Sequence, residues 1–371
     1  MSKKYITTAL ALLILCFIIF LTTKSLTDES PKVLKTKSFN IIPNSTIDQT
    51  QKIQKLIILA EKEQKTLEFS QGTYLISKPL VIKHPLNIRG ENALIKLSSN
   101  FKSNKLGQGF FYSNTVNDIS ISNLKFDGNK DFLTKDPRNN FVLWFENSSN
   151  IVIKNCHVIN LNGKGENLNT AFGFIGLSNN IQVIHNFFEN SDGGAIFFQG
   201  SNSLARENIV TNVKDVALVA NGSNSKNVLF ESNSISGADT GSIGIENGPS
   251  NIKIIKNKIY NFTNGYGIGI LNFREVTESV ANNILIEDNL IDTNIGINPC
   301  NGIAIVKATN VKIVKNKIKN INANNISNNA IFLNQWVNNS SVYNNVLINL
   351  TVPGVVSQGS NTNFIKNNEE L

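Results

Sequence analysis

Three aspartates recur at matching places: Asp192, Asp215 and Asp239 each stand three or four residues ahead of an inward-facing Ile or Leu, and Asn264 continues the series. If these stretches stack, the carboxylates form a column only a few ångströms apart. Like charges so close repel, so either one carboxyl keeps its proton or a cation sits among them. A hard cation such as Ca²⁺ suits three oxygen-bearing side chains, which makes Asp192, Asp215 and Asp239 candidate metal ligands. Asp192 and Asp239 are also candidate acid–base groups. Aspartate ahead of glycine is ordinary turn chemistry as well, and that plainer reading stands beside the chemical one.

The far ends of the same stretches carry Gln199, Asn221 and Glu246, side chains suited to holding sugar hydroxyls. Between the two ends, alternation points Ile196, Phe198, Ile243 and Ile245 inward. It turns Phe197, Val219, Gly244, Gly269, Ala304 and Phe332 outward. This outward row is small and apolar, and a sugar ring could stack on Phe197 or Phe332. Longer connections at 129–140, 162–170 and 272–281 interrupt the repeat, and such insertions collect on binding faces. They bring Lys164 and Arg274. A lyase needs a base and a cation to neutralise a uronate carboxylate, and Lys164 and Arg274 beside the aspartates could supply them.

Those positions have meaning only if the chain coils in register, and the repeat says that it does. Asn180-Ile181-x-Val183-x-x-Asn186-x-Phe188 returns at Asn227, Asn251, Asn283 and Asn310, with looser copies centred on Asn123, Asn155, Asn208, Asn345 and Asn367. The step averages about 27 residues, within the range of solenoid repeats. Ahead of each copy runs a small residue and an alternating stretch, as in Ser242-Ile-Gly-Ile-Glu246 and Gly302-Ile-Ala-Ile-Val306. Each coil therefore holds at least two short strands with Asn, Gly and Ser at the corners. Stacked coils align branched aliphatics into internal ladders, while an inward asparagine pairs with its counterpart on the next coil. The expected fold is all-β, a single-stranded right-handed parallel β-helix.

Upstream, Asp48 can N-cap a helix reaching about Lys65, with Ile53, Leu56, Ile57 and Ala60 on one stripe. Short strands at 66–69 and 74–76 follow, and the whole of 40–90 reads as a lid for the open end of the solenoid. Residues 40–371 form the β-helix domain with this cap, 24–39 a flexible tether, and 1–23 a signal anchor or signal peptide. Lys3 and Lys4 ahead of the apolar run Ile6–Leu21 orient the chain with its body outside the cytoplasm, so the membrane is a partner through this segment.

Composition agrees with a solenoid: of 371 residues 17% are charged, and only 8 are Pro and 1 Met. The net charge of +8 could favour an acidic polysaccharide or an anionic surface. Nucleic acid is not an expected partner, because no binding motif or basic–aromatic cluster is present. Three cysteines, one of them inside the apolar run, provide neither a disulfide framework nor metal-ligand spacing. His185 shares a slot with Lys256, Asp288 and Lys315 and is read as solvated; His157 is read as packed in the slot of Phe188.

From about residue 46 onward the chain resembles the pectate-lyase-like β-helix superfamily. The resemblance rests on the Asn repeats and on Asp48…Ile53-Gln54…Ala60…Thr66-Leu67-Glu68-Phe69-Ser70-Gln71-Gly72-Thr73-Tyr74, similar to the cap of polygalacturonases, mannuronan C5-epimerases and phage tailspikes. Asn190-Ser191-Asp192-Gly193 is similar to the first polygalacturonase motif. Ala195 and Ile196 stand where its second carboxylate belongs, and the other motifs of that group do not follow. Inverting hydrolysis needs two carboxylates flanking the bond. The resemblance implies a polysaccharide ligand, cleaved by a lyase or hydrolase of an acidic glycan. The alternatives are a non-catalytic glycan-binding or spacer protein, and a phage-derived or adhesin-like element.

Overall fold

A computed structural model describes residues 33–102, 109–131, 141–161, 170–272, 280–293, 300–321, 329–358 and 363–371. The described chain is a parallel β-solenoid with a single α-helix, Thr50–Glu63, at its N-terminal end. That helix buries Ile53, Leu56, Ile57 and Ala60, the expected stripe, against the first coil. Asp48 accepts the Thr50 N–H at 3.1 Å and the Ser77 N–H at 3.1 Å, so one carboxylate fastens the helix start to the strand below it. The helix ends at Glu63 because Gln64 turns left-handed, two residues short of the expected Lys65.

Each coil contributes three strands, one more than the minimum expected. The first sheet contains Gly194–Phe198, Leu218–Asn221, Gly241–Glu246 and Gly265–Leu271; the second contains Asn179–Ile184, Ser201–Arg206, Lys226–Glu231 and Ser250–Ile255. The third is made of shorter strands such as Phe187–Ser191, Ile209–Val213 and Ser234–Ala238. Pairing is parallel throughout. Ile196, Leu218, Ile243, Ile268, Ile303 and Ile331 align as one internal ladder of the first sheet. Phe188, Val210, Ile235 and Ile259 align in the third. All are buried, and Phe145, Phe174, Phe198 and Phe230 stack through the interior with centroids 5.5–6.0 Å apart.

The corner between second and third sheets holds a ladder of buried asparagines: Asn186, Asn208, Asn233, Asn257, Asn289, Asn316 and Asn345, ending on Asn368. From Asn208 to Asn368, each Oδ1 accepts both the backbone N–H and the side-chain N–H of the asparagine one coil earlier, at 2.9–3.2 Å. Asn123, Asn155 and Asn367, expected in this ladder, stand one residue earlier instead, in the left-handed corner beside His185, Lys256 and Lys315. Asparagine tolerates that conformation, which is why the looser copies were out of step by one. Cys156 fills the ladder position on its coil, donating its N–H to Asn186 Oδ1 at 2.9 Å. The asparagines that open the repeat make separate, exposed amide chains: Asn283, Asn251, Asn227 and Asn202 donate in succession, ending on Asn179, while Asn180 donates to Asn150.

Two further expectations change. Val33–Lys35 is a strand paired with Thr66–Glu68, so a flexible tether over 24–39 reaches too far: the solenoid already begins at 33. His157 aligns with Phe187 rather than Phe188 and stacks on its ring at 4.6 Å, half-buried on the outer surface. His185 is exposed as expected and pairs with Glu207 at 2.9 Å. No helix of the described residues is long and apolar enough to cross a membrane; the anchor expected over 1–23 lies outside the described residues.

Asn233→Ala removes the acceptor for two N–H groups of Asn208 and the donor to the Ala205 carbonyl, all buried. Unpaired buried groups each cost about 1–3 kcal/mol, so this substitution is expected to lower stability by about 3 kcal/mol or more in urea unfolding. Cys156→Asn restores the missing rung and is expected to leave the unfolding midpoint unchanged or higher.

Candidate active site

The outward row of the first sheet lies in register as read from the sequence: Phe197, Val219, Gly244, Gly269, Ala304 and Phe332 occupy successive coils. Its middle is nevertheless covered. Val216 and Tyr266 fold over it and pack with Val219 and Ala304, with Phe197 and Leu271 at the margin. Glycine makes this possible. A side-chain carbon on Gly241 or Gly269 would lie 2.6 or 2.5 Å from the Tyr266 ring, so only bare backbone lets the ring lie flat on the sheet. A side-chain carbon on Gly244 would lie 3.0 Å from Glu246 Oε1, 3.2 Å from the Tyr266 hydroxyl and 3.1 Å from Val216. Above this one glycine, a carboxyl and a phenol come together against an apolar wall.

Glu246 ends the strand that carries Gly244, two residues on and therefore on the same face. It is 7% exposed, and Asn221 from the preceding coil donates to its Oε2 at 2.9 Å. Burial pushes the Glu246 carboxyl up to about 6; the Asn221 hydrogen bond works against that rise and the charge of Asp215 adds to it. Burial likewise lifts Asp215 above its ordinary value, opposed by the Val216 N–H that its Oδ1 accepts at 2.8 Å. Tyr266 is raised by burial and by the negative charges of Glu246 and Asp215, so its hydroxyl stays protonated. That hydroxyl is buried without a hydrogen-bond partner among the described residues. Among the described residues no cation forms a salt bridge with Asp215 or Glu246. Two carboxyls whose pKa values are driven upward beside a neutral phenol form an acid–base group, and such perturbed groups mark functional sites.

The aspartate column does not gather around one point, which corrects its reading as a three-carboxylate cation site. Asp192 is neutralised by Lys214 at 2.7 Å and Lys130 at 3.6 Å. Asp239 accepts the Thr263 hydroxyl at 2.5 Å and the Asn264 amide. Asp215 accepts the N–H of the adjoining Val216, and its charge acts on Glu246 and Tyr266. Among the described residues no three His, Cys, Asp or Glu side chains converge as metal ligands. Equivalent slots therefore hold different chemistry: Lys214, which directly precedes Asp215, captures Asp192, and hydrogen-bond donors on the next coil take Asp239.

Of the expected ligand-holding residues, Asn221 and Glu246 pair with each other, whereas Gln199 accepts the Gly176 N–H at 3.1 Å and faces the preceding coil. Phe197 and Phe332 remain half-buried at either end of the row. Lys164 and Arg274 lie outside the described residues. The strand order shows that the connections containing 132–140 and 162–169 lead from the third sheet into the first, while the one containing 273–279 leaves the first for the second. Those connections therefore start from opposite edges of the first sheet. Tyr266 and Val216 were not singled out from the sequence. The available signal was the repetition of glycine at outward positions of two neighbouring strands, Gly241, Gly244 and Gly269, beside a single tyrosine.

A family model described as rhamnogalacturonase A/epimerase, pectate lyase-like, matches residues 33–246. Among solved structures, the A-module of mannuronan C-5 epimerase AlgE6 from Azotobacter vinelandii is similar with a TM-score of 0.69 at 14% identity, covering 91% of this chain and 99% of that one. The surface adhesin PfbA of Streptococcus pneumoniae is similar with a TM-score of 0.64 at 16% identity, covering 91% of each chain. An exopolygalacturonase from Thermotoga maritima is similar with a TM-score of 0.60 at 12% identity, again covering 91% of each. At these identities the likeness is one of fold. No curated protein is a significant match in sequence.

The Glu246 carboxyl makes stability pH-dependent. Its value of about 6 in the fold exceeds the ordinary 4.5, so the folded state holds the proton more tightly. The stabilising contribution is complete below pH 4.5 and is lost as pH rises through about 6. At 1.36 kcal/mol per unit, the loss is about 2 kcal/mol. Glu246→Gln is expected to be more stable than the parent by about that amount at pH 8, with the difference vanishing at pH 4 in paired denaturation curves.

Proposed function

The chain belongs to the rhamnogalacturonase A/epimerase, pectate lyase-like family, and from that premise we propose that it acts on polysaccharide, cleaving an acidic glycan as a lyase or hydrolase outside the cytoplasm. The observation that carries this reading is the meeting of Glu246 and Tyr266 on the glycine-paved face of the first sheet, with the charge of Asp215 acting on both. Glu246, protonated up to about pH 6, is the proton donor of the group. Asp215, whose rise is opposed by the Val216 N–H, is the carboxylate that accepts a proton. Tyr266 is a neutral donor beside them. Two carboxyls are what hydrolysis asks of a site, and a proton acceptor beside neutral donors is what elimination asks. The net charge of +8 favours an anionic polymer at long range. Membrane tethering rests on Lys3 and Lys4 ahead of Ile6–Leu21.

A second reading, glycan binding without chemistry, is favoured by one specific feature: Glu246 and Tyr266 are only 7% and 5% exposed. The two readings part on product formation. With polygalacturonate and mannuronan as substrates, Glu246→Gln and Asp215→Asn are expected to lower turnover at least about a hundredfold while binding persists. The pH–rate profile is expected to rise through the lifted Asp215 value and fall through about 6. Unchanged turnover in both variants would sink this assignment, and polymer binding with no product from the parent protein would favour the second reading.

A further inference from the structure

A groove of about 700 Å³ lies away from the acid–base group. It lies where the end of the cap helix meets the outer face of the second sheet on three consecutive coils near the N-terminal end. Asn87, Ser120 and Val152 form its floor, aligned in register on consecutive coils and so about 4.8 Å apart. Asp118 and Asn150 form one wall and His84 stands at the other.

The walls are held in place from below. Glu61, 7% exposed, accepts the backbone N–H groups of Lys83 at 2.6 Å and His84 at 3.1 Å, which ties the loop bearing His84 to the helix. On the opposite side the exposed amide chain runs from Asn180 to Asn150 and ends on Asp118 Oδ1 at 2.9 Å. Every amide in that chain donates towards Asp118, which leaves its second carboxylate oxygen as the terminal acceptor. The side chains of His84, Asn87 and Ser120 make no hydrogen bond to any other described residue. A trough of this size lies within the range of ligand sites. Unspent amide, hydroxyl, imidazole and carboxylate groups stand beside the aliphatic Pro85 and Val152, and that combination matches a ligand dense in hydroxyls with apolar C–H faces.

We infer that this groove is a second saccharide-binding site, remote from the acid–base group, which takes pyranose units of a polysaccharide through Asp118, Asn87, Ser120 and His84. The ligand class rests on the polysaccharide reading above; the location does not. With no aromatic platform the site holds a short saccharide weakly, and a polymer engaging both sites gains by effective concentration.

The test is retardation of the full chain in native gels containing polygalacturonate or mannuronan. Asp118→Asn keeps a residue that tolerates the left-handed corner while removing the charge. Ser120→Tyr fills the trough. Both are expected to bind polymer about tenfold more weakly than the parent, the worth of one charge-assisted hydrogen bond. Parent-like binding by both folded variants overturns the inference, as does failure of the parent to bind either polymer. If Glu246→Gln abolishes product while the groove variants bind normally, the active-site reading stands and the groove falls. If the groove variants bind weakly while Glu246→Gln changes nothing, the converse holds.

Discussion

A corner that must be buried and must also be hydrogen-bonded is the constraint on which this molecule depends. Between the second and third sheets the backbone turns inward, and its N–H groups have no strand neighbour to accept them. The asparagine amide resolves this by accepting two N–H groups from the preceding coil and donating to carbonyls. A buried unmade hydrogen bond costs more than a made one contributes, so the ladder fixes registry more strongly than it adds stability. A coil slipped by one residue would break every rung and turn every ladder aliphatic to solvent.

Registry is also what gives the outer surface chemical meaning. Because Ile243 and Ile268 stack inside, Gly244 and Gly269 must stack outside, and the bare strip they leave admits the ring of Tyr266. The phenol then brings its hydroxyl over Gly244 toward Glu246, with Asp215 charged nearby. Such a group is unfavourable for the fold: two carboxyls and a hydroxyl share an apolar setting with no described cation to offset them. Local destabilisation of this kind is common at functional sites, and it is what supports the proposed reactivity here.

The period-two stretches and the asparagine spacing were enough to read the coils, because both patterns follow from local geometry and recur. The cap helix was legible for the same reason, its buried stripe appearing as Ile53, Leu56, Ile57 and Ala60. Errors came where one residue type serves two roles. Asn123, Asn155 and Asn367 sit in left-handed corners, a place that asparagine also favours, so they read as ladder members although Cys156 and Asn368 hold those positions. The strand Val33–Lys35 was missed because three residues carry no periodicity; it exists through its pairing with Thr66–Glu68.

The candidate site divides along the same line. The amino-acid sequence by itself determined which residues share a slot, because a strand alternates and a repeat returns, and it therefore placed Asn221 and Glu246 at strand ends and Asp192, Asp215 and Asp239 in one column. Only the tertiary structure decided what each side chain does there. Lys214 reaches Asp192, Thr263 and Asn264 hold Asp239, and the charge of Asp215 acts on Glu246 and Tyr266. The physical reason is that a slot is set by backbone periodicity, whereas a partner is set by side-chain reach across coils that lie more than twenty residues apart in the chain.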